Sequence, residues 1–411
     1  MKIRSITYFC NPKYPLDEKV IQAAGEFLAK AKSAYEAAGY EVQTARLATI
    51  PFPKLLGEKQ INDLPKLAEQ LEKLIQQIGI AYASLGPALP DFRSLEDFGS
   101  LKSYEVIPEA IAASQNIFFD GVMADKSNGI SLAAIKACAE VMVKSAPIDP
   151  NGFANLRFAA LANVKAGAPF FPAAYHDNDQ SAFAIATEAA DLAVDAFSQA
   201  KTLEVGRQTL IAEIEKHGKR LSKAAQSLDC KFGGIDFSLG PFPSEAQSLG
   251  TAFEQMGVPR VGFHGSLAAA AILTEAIERA NFQRTGFSGL MMPVLEDATL
   301  AKRAADGTLS VKDVLLYSAV CGTGLDTIPL PGDTTVDQIT PLLLDLSALA
   351  LRLDKPLTAR LMPVPGKKAG DPTNFDFGFF ANSKVMALDA TTLNQPLNSD
   401  ETFRLKSRGN A

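Results

Sequence analysis

The sequence contains few cysteines and histidines and no tryptophan. Its cysteines are widely spaced, at Cys10, Cys138, Cys230 and Cys321. This spacing excludes the paired cysteines of a zinc site and the dense cysteines of a secreted disulfide scaffold. The N-terminal stretch MKIRSITYF also lacks the hydrophobic segment of a signal peptide. We therefore expect a cytoplasmic protein.

Long apolar runs and clusters of basic residues are absent as well. No run approaches the roughly 18 apolar residues that a membrane-spanning helix needs. The formal net charge of −6, without a basic cluster, gives no electrostatic footprint for nucleic acid or for an anionic membrane. These absences favour a small molecule as the ligand. They leave open whether the chain forms a homo-oligomer.

Short apolar runs alternate with amphipathic segments along most of the chain. Strands are predicted at IRSITYF, EVQTARLA, IAYASLGPA, NIFFDGVM, LRFAALANV, FGGIDFSLG, PRVGF, GLMMPVL, LTARLMPV, FDFGFF and KVMAL. Helical patterns separate most of these runs, which is typical of an α/β protein with many parallel or mixed strands.

The 411 residues are 47% apolar, enough for a large core, and no flexible linker divides them. We therefore expect one large α/β domain over residues 1–411. Its parts are an N-terminal α/β half (about 1–165), a helical connection (about 180–228) and an interlocked C-terminal α/β half (about 229–390). The connection is predicted as two long helices, over about 182–201 and 203–228.

Polar residues that can do chemistry follow several of the predicted strands. Such positions are where open α/β sheets and α/β barrels build their sites. The chain has only three histidines, and two of them stand at strand-end turns. The candidate site residues are His176, Asp236, Ser238, His264, Ser288, Glu296, Cys321 and Asp326.

Two imidazoles and two carboxylates can serve as metal ligands or as metal-free acids and bases. One hypothesis places a divalent metal (zinc, iron or manganese) between His176, Asp236, His264 and Glu296. The other assigns Asp236 to orientation, His264 to the base and Glu296 to the acid or a second base. In both, Asp236, His264 and Glu296 face one cavity, with His176 at its rim. The plainer alternatives are a helix cap formed by Glu296 with Asp297, and a turn histidine at position 264.

Residues 230–273 and 286–334 resemble a bacterial family called domain of unknown function 711, or UPF0210. The family pattern contains Asp-x-Ser, Gly-x-His-Gly, Ser-Gly, Pro-Val-x-Glu-Asp and Cys-x-x-Gly-Leu-Asp in this order, and each has a counterpart here. The matched positions are Asp236, Ser238, His264, Gly265, Ser288, Glu296, Asp297, Cys321, Gly324 and Asp326. The resemblance is good over about 230–390 and thinner in the N-terminal half.

The resemblance implies a barrel-like mixed α/β fold, similar to the ten-stranded barrel of pyruvate formate-lyase and to anaerobic ribonucleotide reductase. In that fold a finger loop carries a cysteine into the barrel, which implies this position for Cys321. Radical chemistry is not favoured, because the tail around Arg408 and Gly409 lacks the glycyl-radical motif. The segment NIFFDGVMADK departs from the family pattern, which predicts a different substrate.

Three functions remain in competition on these grounds. The leading hypothesis is an enzyme of hydrolase or lyase type, with Asp236, His264 and Glu296 as catalytic residues at a barrel mouth and a small or medium polar substrate. Substrate contacts are assigned to His176, Ser238, Ser288, Cys321 and Asp326. The alternatives are an enzyme that depends on Cys321, and a non-catalytic protein that keeps the barrel as a ligand pocket.

Overall fold

The structure is a computed structural model that describes residues 1–90 and 101–408, so that Gly409 of the tail lies outside it. The strands are Lys2–Cys10 (β1), Val42–Thr49 (β2), Tyr82–Ala88 (β3), Ile117–Asp125 (β4), Gly129–Ser131 (β5), Phe158–Ala162 (β6), Ala182–Glu188 (β7), Lys231–Gly240 (β8), Gly324–Pro331 (β9), Leu357–Val364 (β10) and Thr402–Phe403 (β11).

The α-helices are Glu18–Ala37 (α1), Phe52–Leu56 (α2), Leu64–Gln77 (α3), Lys102–Glu105 (α4), Ile107–Ala112 (α5), Leu132–Ser145 (α6), Ala190–Ser198 (α7), Leu203–Ala225 (α8), Leu249–Gln255 (α9), Ser266–Arg279 (α10), Ala298–Ala305 (α11), Val311–Tyr317 (α12) and Val336–Leu353 (α13). Short 3-10 helices cover Glu58–Asp63, Ala146–Ile148, Phe153–Arg157 and Glu245–Gln247. In the described part of the chain, no helix is both long and apolar enough to cross a bilayer.

One large mixed sheet of 11 strands organises the fold. Its main order is β8-β7-β1-β2-β3-β4-β6-β10-β9, with β5 and β11 attached beside β4. Strands β1, β2, β3, β4 and β6 run parallel to one another. On one side β7 and β8 run the opposite way, and on the other side so do β10 and β9. The mixed α/β class expected from the alternating pattern is thus confirmed.

The two outer strands, β8 and β9, are connected by single bridges and not by a continuous ladder. The segment 283–294 makes parallel bridges to β8 at Ile235–Arg284 and Leu239–Leu290, and one to β9 at Pro293–Asp326. Hydrogen-bonded strand pairing therefore does not close the sheet, and the expected ten-stranded barrel is not confirmed.

The helical connection predicted over about 180–228 is wrong in its first part. Ala182–Glu188 forms β7, which pairs antiparallel with β1 and parallel with β8. The segment AFAIATE is rich in alanine, which suits a helix, but it is almost entirely buried and its backbone is paired on both sides. The segments PRVGF and FDFGFF, predicted as strands, contain no strand residue.

Alternate residues of the strands supply two layers of apolar side chains. On β4, Phe119 and Met123 pack in the main core with the helices, whereas Phe118 and Val122 belong to smaller clusters on the opposite face. That opposite face is crossed by the loop 163–181, whose Phe170 and Phe171 join the same small clusters. We call this face, which carries Phe118 and Val122, the inner face of the sheet. It is covered by the loop 163–181, which connects β6 to β7.

We predict that Gly324→Ala destabilises the fold by at least about 3 kcal/mol. Gly324 has φ +100° at the start of β9, and a Cβ there would lie 2.3 Å from the Thr358 carbonyl oxygen. Urea unfolding of the variant and of two controls measures the effect. Gly307 has φ +77°, and a Cβ there would have no atom within 4 Å. Gly307→Ala should therefore lower the free energy of unfolding only by the backbone strain of a positive φ, about 1–2 kcal/mol. Gly378→Ala, with open space and no positive φ, should be close to neutral. Equal stability of all three variants would contradict the packing argument.

Candidate functional site

A cavity of about 300 Å³ opens on the inner face of the sheet, near the beginnings of β1, β2 and β3. Because β7 and β10 run the opposite way, this is also the end at which those two strands finish. The charged residues that line it are Arg4, Arg46, Arg157, Arg360 and Glu296. The aromatic ones are Tyr82, Phe118, Phe153, Phe170, Phe171, Phe377 and Phe379.

A chain of five charged side chains runs along one wall of the cavity. Arg4 donates to Glu188 at 2.8 Å and to Glu296 at 2.6 Å. Arg360 donates to the other oxygen of Glu296 at 2.8 Å and to Asp326 at 2.6 Å. Glu296 is thus held between two guanidinium groups, each of which keeps a second carboxylate behind it. This arrangement fixes the Glu296 carboxylate at the cavity wall.

The two outer carboxylates of this chain are incompletely satisfied. Glu188 Oε1 and Asp326 Oδ2 are buried without a hydrogen-bond partner among the described residues. Burial raises the pKa of Asp326 to about 6, against the lowering effect of Arg360 and with a further raising effect of Glu296. Burial also raises the pKa of Glu188, although Arg4 and Gln43 oppose it. In the fold, Asp326 can therefore hold a proton at mildly acidic pH.

Arg46 lies beside this chain and differs from Arg4 and Arg360 in its partners. Its Nε donates to Thr44 Oγ1 at 2.8 Å. Its guanidinium lies 5.0 Å from the ring centre of Phe171 and 5.8 Å from that of Tyr82. Among residues 1–90 and 101–408 it has no carboxylate in ion-pair contact. Burial, followed by the nearby charge of Arg4, lowers the pKa of Arg46 to about 9.

The loop 163–181 builds the floor of the cavity. Its carbonyl groups at Pro169 and Pro172 accept hydrogen bonds from the strand hydroxyls of Thr7 and Ser84, each at 3.4 Å. These contacts fix the intervening Phe170 and Phe171, which line the cavity. Buried serine and threonine in the first strands therefore hold the loop in place.

Glu296 and Asp326 are the only two of the predicted site residues that the structure places in this network. Glu296 lines the cavity, and Asp326 contacts it through Arg360. Asp297 instead caps α11, accepting from the backbone N–H groups of Thr299 and Leu300, which confirms the capping interpretation for that residue.

Asp236, Ser238 and Ser288 form a separate buried network that does not line the cavity. Asp236 accepts from the backbone N–H groups of Phe287 and Ser288, both at 2.9 Å, and from Ser238 Oγ at 2.5 Å. These bonds fix the turn that leads segment 283–294 alongside β8. In the structure, Asp236 therefore stabilises this turn.

The two candidate histidines do not line the cavity either. His264 is exposed in the turn before α10. His176 is buried, its backbone N–H donates to the Thr49 carbonyl at 2.9 Å, and its Nε2 lies 3.0 Å from the Gln180 carbonyl. Burial lowers the pKa of the His176 imidazole. Neither imidazole is in position to exchange a proton with Glu296.

The structure does not bring the four predicted metal ligands together. Within the described ranges no three histidine, cysteine, aspartate or glutamate side chains are grouped so that they could hold a metal ion. The four residues are associated with different apolar runs, but His264 is exposed, Asp236 holds a turn, His176 is buried beside the Gln180 carbonyl and Glu296 lines the cavity. Position after a strand specifies neither the face nor the end of the sheet.

Cys321 does not occupy the position expected of a finger-loop cysteine. It lies four residues after Tyr317, the last residue of α12; its backbone N–H donates to the Tyr317 carbonyl at 2.8 Å, and its side chain is buried in the main core. The connection that crosses the inner face is the loop 163–181, which contains no cysteine.

The arginines and Glu188 were not among the predicted site residues. Arg4, Arg46 and Arg360 stand inside the apolar runs IRSITYF, EVQTARLA and LTARLMPV. A charged residue within a strand that is otherwise apolar requires a buried partner or a cavity, because isolated burial of a charge is costly. That signal was present in the sequence, but it does not identify the partner.

Comparison with known proteins agrees with the resemblance noted in the sequence. A model of the family described as "Uncharacterised ACR (DUF711)" matches residues 1–383. The chain belongs to this family.

Relatives in the UPF0210 group cover most of the chain. A UPF0210 protein of Pyrobaculum aerophilum is 32% identical over 354 residues, covering 81% of this chain and 76% of that protein. One from Clostridium botulinum is 26% identical over 404 residues, covering 94% and 86%. One from Neisseria gonorrhoeae is 27% identical over 385 residues, covering 90% and 84%.

Similarity to two solved structures is weak, with a TM-score of 0.25 for each. A glycoside hydrolase family 6 enzyme from Coprinopsis cinerea matches with a TM-score of 0.25 and 12% identity, covering 57% of this chain and 60% of that chain. The similarity in fold to pyruvate formate-lyase is not confirmed by these comparisons.

We predict that Asp326 makes the stability of the protein fall as the pH rises from about 4 to about 6. Its folded pKa of about 6 lies above the unfolded value of about 3.9, so ionisation is less favourable in the fold. Asp326→Asn remains neutral and keeps an acceptor for Arg360. From pH 4 to pH 7 the wild type should lose about 1–3 kcal/mol relative to this variant in urea unfolding.

The control for this measurement is Asp354→Asn. A hydrogen bond from Lys126 lowers the pKa of Asp354, so the wild type should instead lose stability relative to this variant as the pH falls. The effect should be smaller because Asp354 is exposed. Parallel pH curves for the wild type and Asp326→Asn would contradict the assignment to Asp326.

Proposed function

We propose that the protein is an enzyme that performs acid–base chemistry on a small polar molecule in this cavity, with Glu296 as the group that transfers the proton. The observation that supports this is the position of Glu296. It is the one carboxylate among the described residues that line the cavity, and Arg4 and Arg360 fix both of its oxygens. A positioned carboxylate accelerates proton transfer by about 10² to 10⁴-fold.

The charge network suits a carboxylate that changes its protonation state. When Glu296 accepts a proton, Arg4 keeps Glu188 as its partner and Arg360 keeps Asp326. Neither guanidinium is then left buried without a counter-charge, which would otherwise be costly. Abstraction of a proton from carbon or from a bound water fits this arrangement, so the reaction class is elimination or hydrolysis.

The roles assigned to Asp236 and His264 are not retained in this proposal. The carboxylate of Asp236 accepts hydrogen bonds from the backbone of the turn at 285–289. His264 is exposed and does not line the cavity. The hypothesis of a Cys321-dependent enzyme is supported less, because Cys321 is packed in the main core. The remaining alternative is a non-catalytic ligand pocket, and the experiment below distinguishes it from an enzyme.

We also infer that segment 283–294 acts as a tenth main strand. With it, β7, β8, β10 and β9 would supply five strands that run opposite to the parallel group of five. The three parallel bridges and the Leu239 N–H bond to the Gly289 carbonyl at 3.1 Å support this. The cavity would then lie at one mouth of a barrel, as the family resemblance implies.

The test uses hydrogen–deuterium exchange catalysed by the protein. Small hydroxy, keto and aromatic acids are incubated with the wild type in D₂O, and NMR follows deuterium incorporation and the appearance of products. Glu296→Gln keeps the size of the side chain and should reduce the rate at least about hundredfold. The exposed Glu41→Gln is the control and should retain the wild-type rate.

Two outcomes would contradict the proposal. A folded Glu296→Gln variant with the wild-type rate would show that Glu296 does not transfer the proton. Compounds that bind in the cavity but are neither exchanged nor converted by the wild type would favour a non-catalytic pocket.

A further inference from the structure

We infer that the ligand of this cavity is an organic carboxylate with a flat, apolar body, and that Arg46 binds its carboxylate group. The inference names the substrate class of the proposed enzyme, and it rests on that proposal for the location of the site. Arg46 has no part in the proton transfer assigned to Glu296. Binding and turnover can therefore be tested separately.

The first argument is the set of hydrogen-bond partners that each guanidinium group has at the cavity. Arg4 and Arg360 are each bound to two carboxylates. Arg46 lines the same cavity with only the Thr44 hydroxyl as a hydrogen-bond partner among the described residues. Its Nε is used by that bond, and its two terminal NH₂ groups are left to face the cavity.

Arg157 does not compete for this role. Its guanidinium donates to the backbone carbonyl groups of Ile111 and Ser114, the first at 2.9 Å. The charges of Asp149 and Glu72 act favourably on it. Arg46 is therefore the guanidinium at this cavity whose terminal N–H groups have no hydrogen-bond partner among the described residues.

The form of this guanidinium favours a monocarboxylate. A planar fork of two N–H groups matches the two oxygens of a carboxylate in a bidentate contact. Because three carboxylates already face the guanidinium groups of Arg4, Arg46 and Arg360, a ligand with one negative charge meets less repulsion here than a doubly charged phosphate monoester would. Burial and the neighbouring Arg4 already lower the pKa of Arg46, so an anion at this point relieves an existing electrostatic cost.

The second argument is the aromatic wall next to Arg46. The ring of Phe118 makes edge contacts with Phe171 at 5.5 Å and with Tyr82 at 5.3 Å between ring centres. Phe377 and Phe379 line the cavity as well, and Phe379 lies against the guanidinium of Arg4. Such rings stack on flat apolar groups. At ~30 Å³ per water-sized group, the cavity of about 300 Å³ holds roughly ten nonhydrogen atoms.

The experiment measures binding of matched acids and amides to the full chain. The probes are benzoate, cinnamate and hexanoate with their neutral amides, and ligand-observed NMR and calorimetry give the affinities. Each acid should bind more tightly than its amide, and the aromatic acids more tightly than hexanoate. Arg46→Gln should weaken binding of the aromatic acids by about tenfold to a hundredfold, with little change for the amides.

Three further variants test which side-chain groups are responsible for binding of the acids. Arg46→Lys keeps the charge without the planar fork and should recover part of the affinity. Phe171→Leu should remove the preference for aromatic acids over hexanoate. The exposed Arg279→Gln, remote from the cavity lining, should bind like the wild type. Circular dichroism and urea unfolding establish that each variant is folded.

Either of two results would overturn the inference. One is equal binding of acids and amides, including no binding of either at millimolar concentration. The other is an Arg46→Gln variant that is folded and keeps its affinity for the acids. Proton transfer by Glu296 to neutral substrates would remain intact in both cases. Conversely, acids that bind through Arg46 without exchange would support this inference and contradict the proposed function.

Discussion

The cavity depends on the burial of charge between two groups of strands that run in opposite directions. Arg4 and Glu296 are separated by 292 positions in the sequence, and Arg360 and Glu296 by 64. A buried guanidinium requires a counter-charge and directed acceptors, because water is not available to supply them. The chain of ion pairs thus determines which strands must meet at this end of the sheet. Removing one member of the chain of ion pairs would leave another charge unpaired. The ion pairs therefore specify which strands come together, more than they add to the net stability of the fold.

Aromatic residues make the same wall suitable for binding. Phe171 and Tyr82 lie close to Arg46, and Phe379 lies close to Arg4. A guanidinium beside an aromatic ring is stabilised without losing its terminal N–H groups to a protein acceptor. The loop 163–181 contributes Phe170 and Phe171, and hydroxyl groups on β1 and β3 hold its backbone. Charge and apolar surface therefore meet in one cavity.

Asp236 illustrates how a carboxylate predicted as a site residue can be structural. It is fully buried, and its oxygens accept from two backbone N–H groups and one hydroxyl. Gly286 lies directly against it, with φ +62° and a Cβ position only 2.2 Å from Asp236 Oδ2, so that only glycine fits there. The Asp-x-Ser and Ser-Gly elements of the family pattern thus secure the turn of segment 283–294, and Glu296 follows at its end.

The amino-acid sequence by itself determined the α/β class, most of the strands, the capping role of Asp297 and the family. These features depend on local periodicity, on side-chain hydrogen bonds over three residues, and on ordered motifs that can be read without knowing which strands are neighbours. It also contained Glu296 and Asp326 as candidates. It did not separate them from Asp236, His264 and His176, since all five follow apolar runs.

Only the tertiary structure decided which charged residues share a cavity. The strand β7 was hidden in an alanine-rich helical pattern, and its pairing with β1 brings Glu188 beside Arg4. The reversal of strand direction places the end of β10 at the same end of the sheet as the beginning of β1, and there Arg360 and Arg4 both contact Glu296. Such contacts depend on strand order and register, which are set by burial and backbone pairing over the whole chain. No local spacing encodes them.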